Sequence, residues 1–330
     1  MWNRDNFRPW SFDHGFLIGG KKIFVFDAHC DSLSWQIEKN IPLNIACEGR
    51  QWDFAAIAGL NWVEVMAAFI AKENRAEIKF NDFLQLSARL HREITQNEQI
   101  ILIKNADDLA AVGTGQGVLF SLEGAEALEG NLDNIYRLYE QDVRILGLAW
   151  NNDNNLAGGA LGANQGLSAR GKEAVRLVNK MPLVLDGAHL SEKSLAEVLG
   201  LSEKAIIVSH ADSRLLCNHP RNLRDEYLRE VAQAGGVVGV TFVREFLCAD
   251  PAKANIVSVA EHIYHMVEVM GVEHVGIGSD FDGVERAVDG LEKAGHVLRL
   301  SAYLRALGFN NDDIALIMGG NFRRVISSII

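Results

Sequence analysis

A chain of 330 residues, 48% hydrophobic and 23% charged, has an ordinary globular composition, which excludes a disordered protein. A formal net charge of −11, with no basic run longer than Lys21-Lys22, argues against a nucleic-acid partner. No stretch approaches the ~20 apolar residues of a membrane span, no signal-peptide core follows Met1, and four scattered cysteines (Cys30, Cys47, Cys217, Cys248) read as reduced thiols of a cytoplasmic protein.

Residues 1–22 are aromatic and glycine-containing from Phe16 to Gly20, and are expected to be an N-terminal extension packed on a single domain that takes up the rest of residues 1–330. The apolar run Ile23 to His29 reads as a first buried strand, and Leu60 to Phe69 as a second. Phe83, Leu84, Leu86, Leu90 and Ile94 recur at helical spacing and predict a helix from about Asn81 to Gln96. Six more strands follow: Gly117 to Leu122, Val143 to Trp150, Pro182 to His189, Ala205 to His210, Gly236 to Phe242 and Glu273 to Ser279. Amphipathic segments near 131–141, 168–180, 191–199, 222–234 and 258–270 fill most gaps, and two helices near 290–307 and 311–328 close the chain.

Eight short, nearly all-apolar strands alternating with helices predict a parallel sheet covered on both faces, and eight such units predict a (β/α)8 TIM barrel. A doubly wound open sheet would need a nucleotide-binding turn. Gly113-Thr114-Gly115-Gln116-Gly117 precedes a strand instead of following one, so it reads as a plain turn. The glycine-rich segment Gly158 to Gly166 lacks the Lys-Ser/Thr of a phosphate cradle and is expected to be a mouth-facing loop that moves over substrate.

The strand ends carry the chemistry. His29 and Asp31 are two apart, so on an extended chain both project to one side. Later strands end on Glu123, on Asp186 and His189, on His210 and on Asp280. In a barrel all these ends face one mouth, where active sites lie. Three imidazoles and the carboxylates of Asp31, Glu123 and Asp280 gathered there need a partner, and cations supply it. The donor types suit two divalent metals, zinc first, with manganese, iron or cobalt also compatible. His29 and Asp31 are expected to hold one ion and His189 and His210 the other, with Glu123 bridging, because strand four offers no lysine for that task. Ions ~3.5–4 Å apart can hold a hydroxide between them and polarise a carbonyl. Asp280 is then placed to act as general base for the water and general acid for the leaving amine.

His29-Cys30-Asp31, Glu123-Gly124, Asp186-Gly187-Ala188-His189, Val208-Ser209-His210, His219-Pro220-Arg221-Asn222 and Gly278-Ser279-Asp280-Phe281-Asp282-Gly283 occur in this order. From about residue 23 to the C-terminus, the set resembles the membrane dipeptidase (renal dipeptidase) family of zinc peptidases, within the amidohydrolase-like barrels. The resemblance implies two zinc ions on His29, Asp31, Glu123, His189 and His210. It further implies hydrolysis of dipeptides with a D-residue tolerated at the C-terminal position, substrate contacts from Arg221 and Asp280, and a homodimer. An Arg guanidinium suits a carboxylate or carbonyl because it offers a planar fork of donors.

The chain departs from the family at the end of strand four, where Trp150 stands in place of a substrate-binding His. Trp150 is expected either to line the pocket or to pack the barrel, with Asn151 or Asn152 as replacement donors. The departure leaves open a related hydrolase of N-acyl amino acids or lactones. A metal-binding barrel without catalysis is the reading outside the enzyme class. Asp186 and Asp282 are expected to cap or orient neighbours, and His262 and His265 to lie on solvated helix surface.

Overall fold

The computed structural model describes residues 17–18, 20–35, 40–70 and 78–330. Most of the expected N-terminal extension lies outside the described residues. Eight parallel strands follow one another round a single sheet: β1 Phe24–Cys30, β2 Asn61–Phe69, β3 Gln116–Glu123, β4 Val143–Gly147, β5 Val184–Asp186, β6 Ile207–Val208, β7 Val237–Val240 and β8 Val275–Ile277. β8 pairs back onto β1 through Ile277 and Asp27, so the ring closes as the expected (β/α)8 barrel.

The strands are near-continuous apolar runs because both faces are covered. Val63, Ile145, Ile207 and Val237, from four strands round the ring, belong with Phe26 to one buried cluster that fills the inside toward the strands' N-terminal ends. Helix Asn321–Ser327 adds Phe322 and Val325 to this cluster, and the Phe322 ring stacks on Phe26 at 5.8 Å. Helix Phe80–Thr95 packs its apolar stripe outward of the sheet, with Phe83 stacked on Phe120 at 5.7 Å. Among the described residues, no helix is long and apolar enough to cross a membrane.

Several strands are shorter than their apolar runs. Pro182 to His189 yields hydrogen-bonded strand only over Val184–Asp186, and Ala205 to His210 only over Ile207–Val208. Beyond each strand, Gly187 to His189 and Ser209 to His210 turn away into the mouth. One short strand, Ile100–Leu102, escapes the periodicity. It pairs with Gln116 to Val118 of β3, whereas β4 pairs from Phe120 onward, so the two share one edge of β3. The last two expected helices are broken. A 3-10 stretch, Ala294–Arg299, leads into helix Leu300–Ala306, and a π turn, Leu316–Gly320, interrupts the final one.

Candidate metal centre

Every chemistry-bearing side chain lies at or just beyond the C-terminal end of a barrel strand. His29 is the penultimate residue of β1 and Glu123 the last of β3. The turns that follow are sharp. Asn151, His189, Asp280 and Asp282 adopt left-handed backbone, with φ of 52°, 64°, 62° and 65°. Asn and Asp tolerate that region; a His there is strained by about 1–2 kcal/mol and needs its surroundings to hold it. Gly283 is required by a close approach. A Cβ at that position would lie 2.4 Å from both Asp31 Oδ2 and Asp280 Oδ1.

Buried carboxylates fasten the loops together. Asp186 Oδ1 accepts the backbone N–H groups of Ala188 and Ser209, each at 2.9 Å, so one side chain ties the His189 loop to the His210 strand. Asp27 Oδ1 accepts Ser279 N–H at 2.7 Å. The Asp280 amide donates to the His29 carbonyl at 3.1 Å, and the Asp31 amide to that of Phe281 at 2.8 Å. Asp282 accepts from Ser32 Oγ, from the Gln51 amide at 2.5 Å and from the Trp52 amide at 3.3 Å. Asp186 and Asp282 thus orient their neighbours, as expected.

Within this frame the donors converge. His29 Nε2 lies 3.5 Å from Glu123 Oε2, 3.8 Å from Asp31 Oδ2 and 3.8 Å from Asp280 Oδ1. Glu123 Oε1 lies 2.7 Å from His189 Nε2 and 3.7 Å from His210 Nε2. The two oxygens of Glu123 therefore face two different groups of donors. His189 Nε2 and His210 Nε2 approach each other to 2.8 Å, a meeting of ring nitrogens that a shared positive charge stabilises. His29 Nε2, Asp31 Oδ1 and Glu123 Oε2 are buried without a hydrogen-bond partner. Leaving each unpaired costs about 1–3 kcal/mol. Donor types, spacing and unpartnered atoms all fit divalent cations.

The two groups differ electrically. At His29, burial pulls the pKa down, but the Glu123 and Asp31 carboxylates outweigh it and hold the imidazole well above its usual range. Burial, with the neighbouring Glu123 charge, pushes Asp31 up to about 7. On the other side, burial and the Arg221 charge push His189 down to about 4, and burial with the His29 charge holds His210 well below its usual range. Neutral imidazoles are what a cation requires.

Arg221 is buried beside the cluster. Its Nη2 donates to the His210 carbonyl at 3.4 Å, its guanidinium lies over the Phe246 ring at 5.6 Å, and its Nε has no partner. Burial lowers its pKa to about 10, which leaves it charged at neutral pH. Trp150 is 37% exposed at the mouth, its ring 4.9 Å from Phe69 and 5.9 Å from His189. Asn151, expected to replace a substrate-binding His, instead places Oδ1 2.8 Å from His189 Nδ1.

One expectation needs correction. His262 is not on solvated surface: it is buried, accepts the Ser213 N–H at Nδ1 and donates from Nε2 to the Leu247 carbonyl, both at 3.0 Å. Helical spacing alone could not separate a buried polar position from an exposed one. The glycine-rich segment is fastened at its start. Ala160 N–H donates to the His189 carbonyl at 2.8 Å, Leu161 N–H to that of Asn151 at 2.7 Å, and Ser191 N–H to that of Gly158 at 2.9 Å.

A closed (β/α)8 barrel with imidazoles and carboxylates gathered at its C-terminal mouth is the architecture of a metal-dependent hydrolase. The chain belongs to the membrane dipeptidase family (peptidase family M19), whose sequence profile matches residues 20–329. Dipeptidase tcpJ of Claviceps purpurea (strain 20.1) is 30% identical over 239 residues, covering 71% of this chain and 56% of that protein. An uncharacterized dipeptidase of Schizosaccharomyces pombe, C3A11.10c, is 33% identical over 211 residues, 63% of this chain and 52% of its own length. The chain spans a little over half the length of these curated relatives. Among solved structures, a metallo peptidase from Rhodobacter sphaeroides, liganded with a phosphinate mimic of the dipeptide L-Ala-D-Ala, has a TM-score of 0.84 at 21% identity. That match covers 94% of this chain and 100% of the other. At such identity the likeness is one of fold.

Proposed function

We propose that this protein is a dipeptidase that uses two divalent cations, zinc by donor type, to cleave the peptide bond of dipeptides, L-Xaa-D-Xaa substrates among them. Family membership supports this, as do relatives named dipeptidases and a like-folded peptidase that binds a dipeptide mimic. The observation that carries it is the division of Glu123: Oε2 toward His29 and Asp31, Oε1 toward His189 and His210. Five side chains thereby form two donor sets joined by one bridging carboxylate.

Cations held there supply Lewis acidity toward the carbonyl and a water of lowered pKa. The protein's own groups do the rest. Asp280 points at the donor set, and burial raises its pKa despite the His29 charge, so it is suited to take a proton from water and return it to the departing amine. Arg221 keeps a buried donor unpaired and is suited to the substrate's carboxylate. Trp150, on Phe69, forms a wall of the entrance. The four free cysteines suit a reducing, cytoplasmic compartment. A homodimer is proposed from the family resemblance, to be read by light scattering.

The test is metal analysis of the purified protein together with a substrate panel. Two zinc ions per chain and turnover of dipeptides are expected, with N-acyl amino acids and lactones untouched. Turnover of N-acyl amino acids alone would transfer the site to that class, an outcome that Trp150 in place of the family's His makes chemically reasonable. Two bound ions and no turnover of any compound would make the protein a binder. Failure to bind any cation would overturn the reading.

A further inference from the structure

We propose that Asn151 is a positioning residue for the cation site of His189 and His210, and that the glycine-rich segment after it serves as its clamp. The inference rests on the reading of these two imidazoles as metal ligands and adds to it a requirement at residue 151.

An imidazole that ligates through Nε2 must carry its proton on Nδ1, and that proton must be given to something. At His189 the acceptor is Asn151 Oδ1, 2.8 Å from Nδ1. With the amide oxygen facing the ring, Nδ1 donates and the Nε2 lone pair is left aimed at Glu123 Oε1 and His210 Nε2. The opposite amide orientation would put N–H groups against Nδ1, move the ring proton to Nε2 and block ligation there. The backbone has to keep the oxygen in place.

It does so through a closed circuit. Asn151 and His189 both sit in left-handed conformation, at φ 52° and 64°. The Asn151 carbonyl accepts the Leu161 N–H at 2.7 Å, and the His189 carbonyl accepts the Ala160 N–H at 2.8 Å. Two successive amides of one segment thus hold the two backbones whose side chains meet. The fit is tight enough to exclude a side chain: a Cβ on Gly159 would lie 2.3 Å from the Asn151 carbonyl oxygen. A left-handed residue that must also present an amide oxygen is best supplied by Asn, since Gly meets only the first condition. Nothing comparable ties residue 151 to His29 or Asp31, whose backbones are held by the β8 loop. His210 draws its own partner from Ser209 Oγ, 2.8 Å from Nδ1.

The experiment is competitive cation titration against a chromophoric chelator, using the wild-type full chain, Asn151→Gly and Asn151→Asp. Asn151→Gly keeps the left-handed backbone and removes the acceptor; Asn151→Asp keeps the acceptor. Far-ultraviolet dichroism and thermal melting of each metal-free protein check the fold. Loss of an outer partner of a ligating His typically weakens metal binding about 10–100-fold. Asn151→Gly is expected to weaken one of two zinc ions by that factor and leave the other unchanged, while Asn151→Asp binds both at least as tightly as wild type. Two wild-type affinities in Asn151→Gly, or equal weakening in Asn151→Gly and Asn151→Asp, would overturn the positioning role and leave the dipeptidase reading intact. A wild-type protein that binds no zinc would overturn both.

Discussion

The two halves of the donor cluster are built by different means. His29 and Asp31 come from one strand of seven residues and its first loop position, where the pairing with β2 shifts register between Asp27 and Cys30 and the amide of Asp280 and carbonyl of Phe281 hold the backbone. His189 and His210 come from loops beyond strands of three and two residues, and reach the cluster only because Asp186, Asn151 and Ser209 hold those loops. Their charges differ accordingly. The first half is rich in carboxylates and draws protons in; the second is rich in neutral imidazoles and repels them. Two donor groups can thus be assembled side by side, one at the end of a long strand and one from hydrogen-bonded irregular backbone, with Glu123 as the joint.

The largest expected effect comes from breaking that joint. Glu123→Gln removes the charge shared by both halves and should lose both cations and at least about 1000-fold in kcat/KM, a cost of ~4 kcal/mol. Retention of one cation at full affinity would show that the halves are independent. Asp280→Asn should separate binding from turnover: metal content stays near normal while kcat falls by about 100- to 10,000-fold. Normal turnover in that variant would remove Asp280 from the proton transfer. Gly283→Ala places a methyl against the carboxylates of Asp31 and Asp280, its nearest neighbours. A displacement of this kind should lower kcat about 100-fold, with the effect on cation binding confined to one half.

The smallest expected effect on turnover is a control outside the cluster. Burial depresses the His262 pKa to about 4, from an ordinary value of 6.5. The folded protein then binds one proton fewer than the unfolded chain between those pH values, so stability is fully present above pH 6.5 and is lost as pH falls through about 4. The contribution is up to about 3 kcal/mol. His262→Gln should show a shallower acid limb in pH-dependent denaturant melts and near-normal turnover at neutral pH. An unchanged acid limb would show that the buried imidazole is protonated in the native state.

How much of this was legible in the sequence follows the same division. The barrel was legible because a parallel sheet buried on both faces leaves apolar runs that no other element needs to match. The His-x-Asp pair was legible because a strand has a fixed period. The orienting role of Asn151 was not, because it depends on a left-handed turn and on amides ten residues further along that no periodicity announces. Ile100–Leu102 escaped because three residues, one buried and two half-buried, carry no pattern. His262 was misplaced because the face a helix buries depends on its neighbours. Trp150 was legible only as a departure; its position on Phe69 and His189 is a fact of packing.

Phe322 stacked on Phe26 joins opposite ends of the described chain beneath the barrel. During synthesis the underside of the first strand therefore stays uncovered until Phe322 has emerged. Contacts of such long sequence separation form slowly, because the loop must close before they reward it. The barrel's inner floor should accordingly be completed late, after the strands above it have formed.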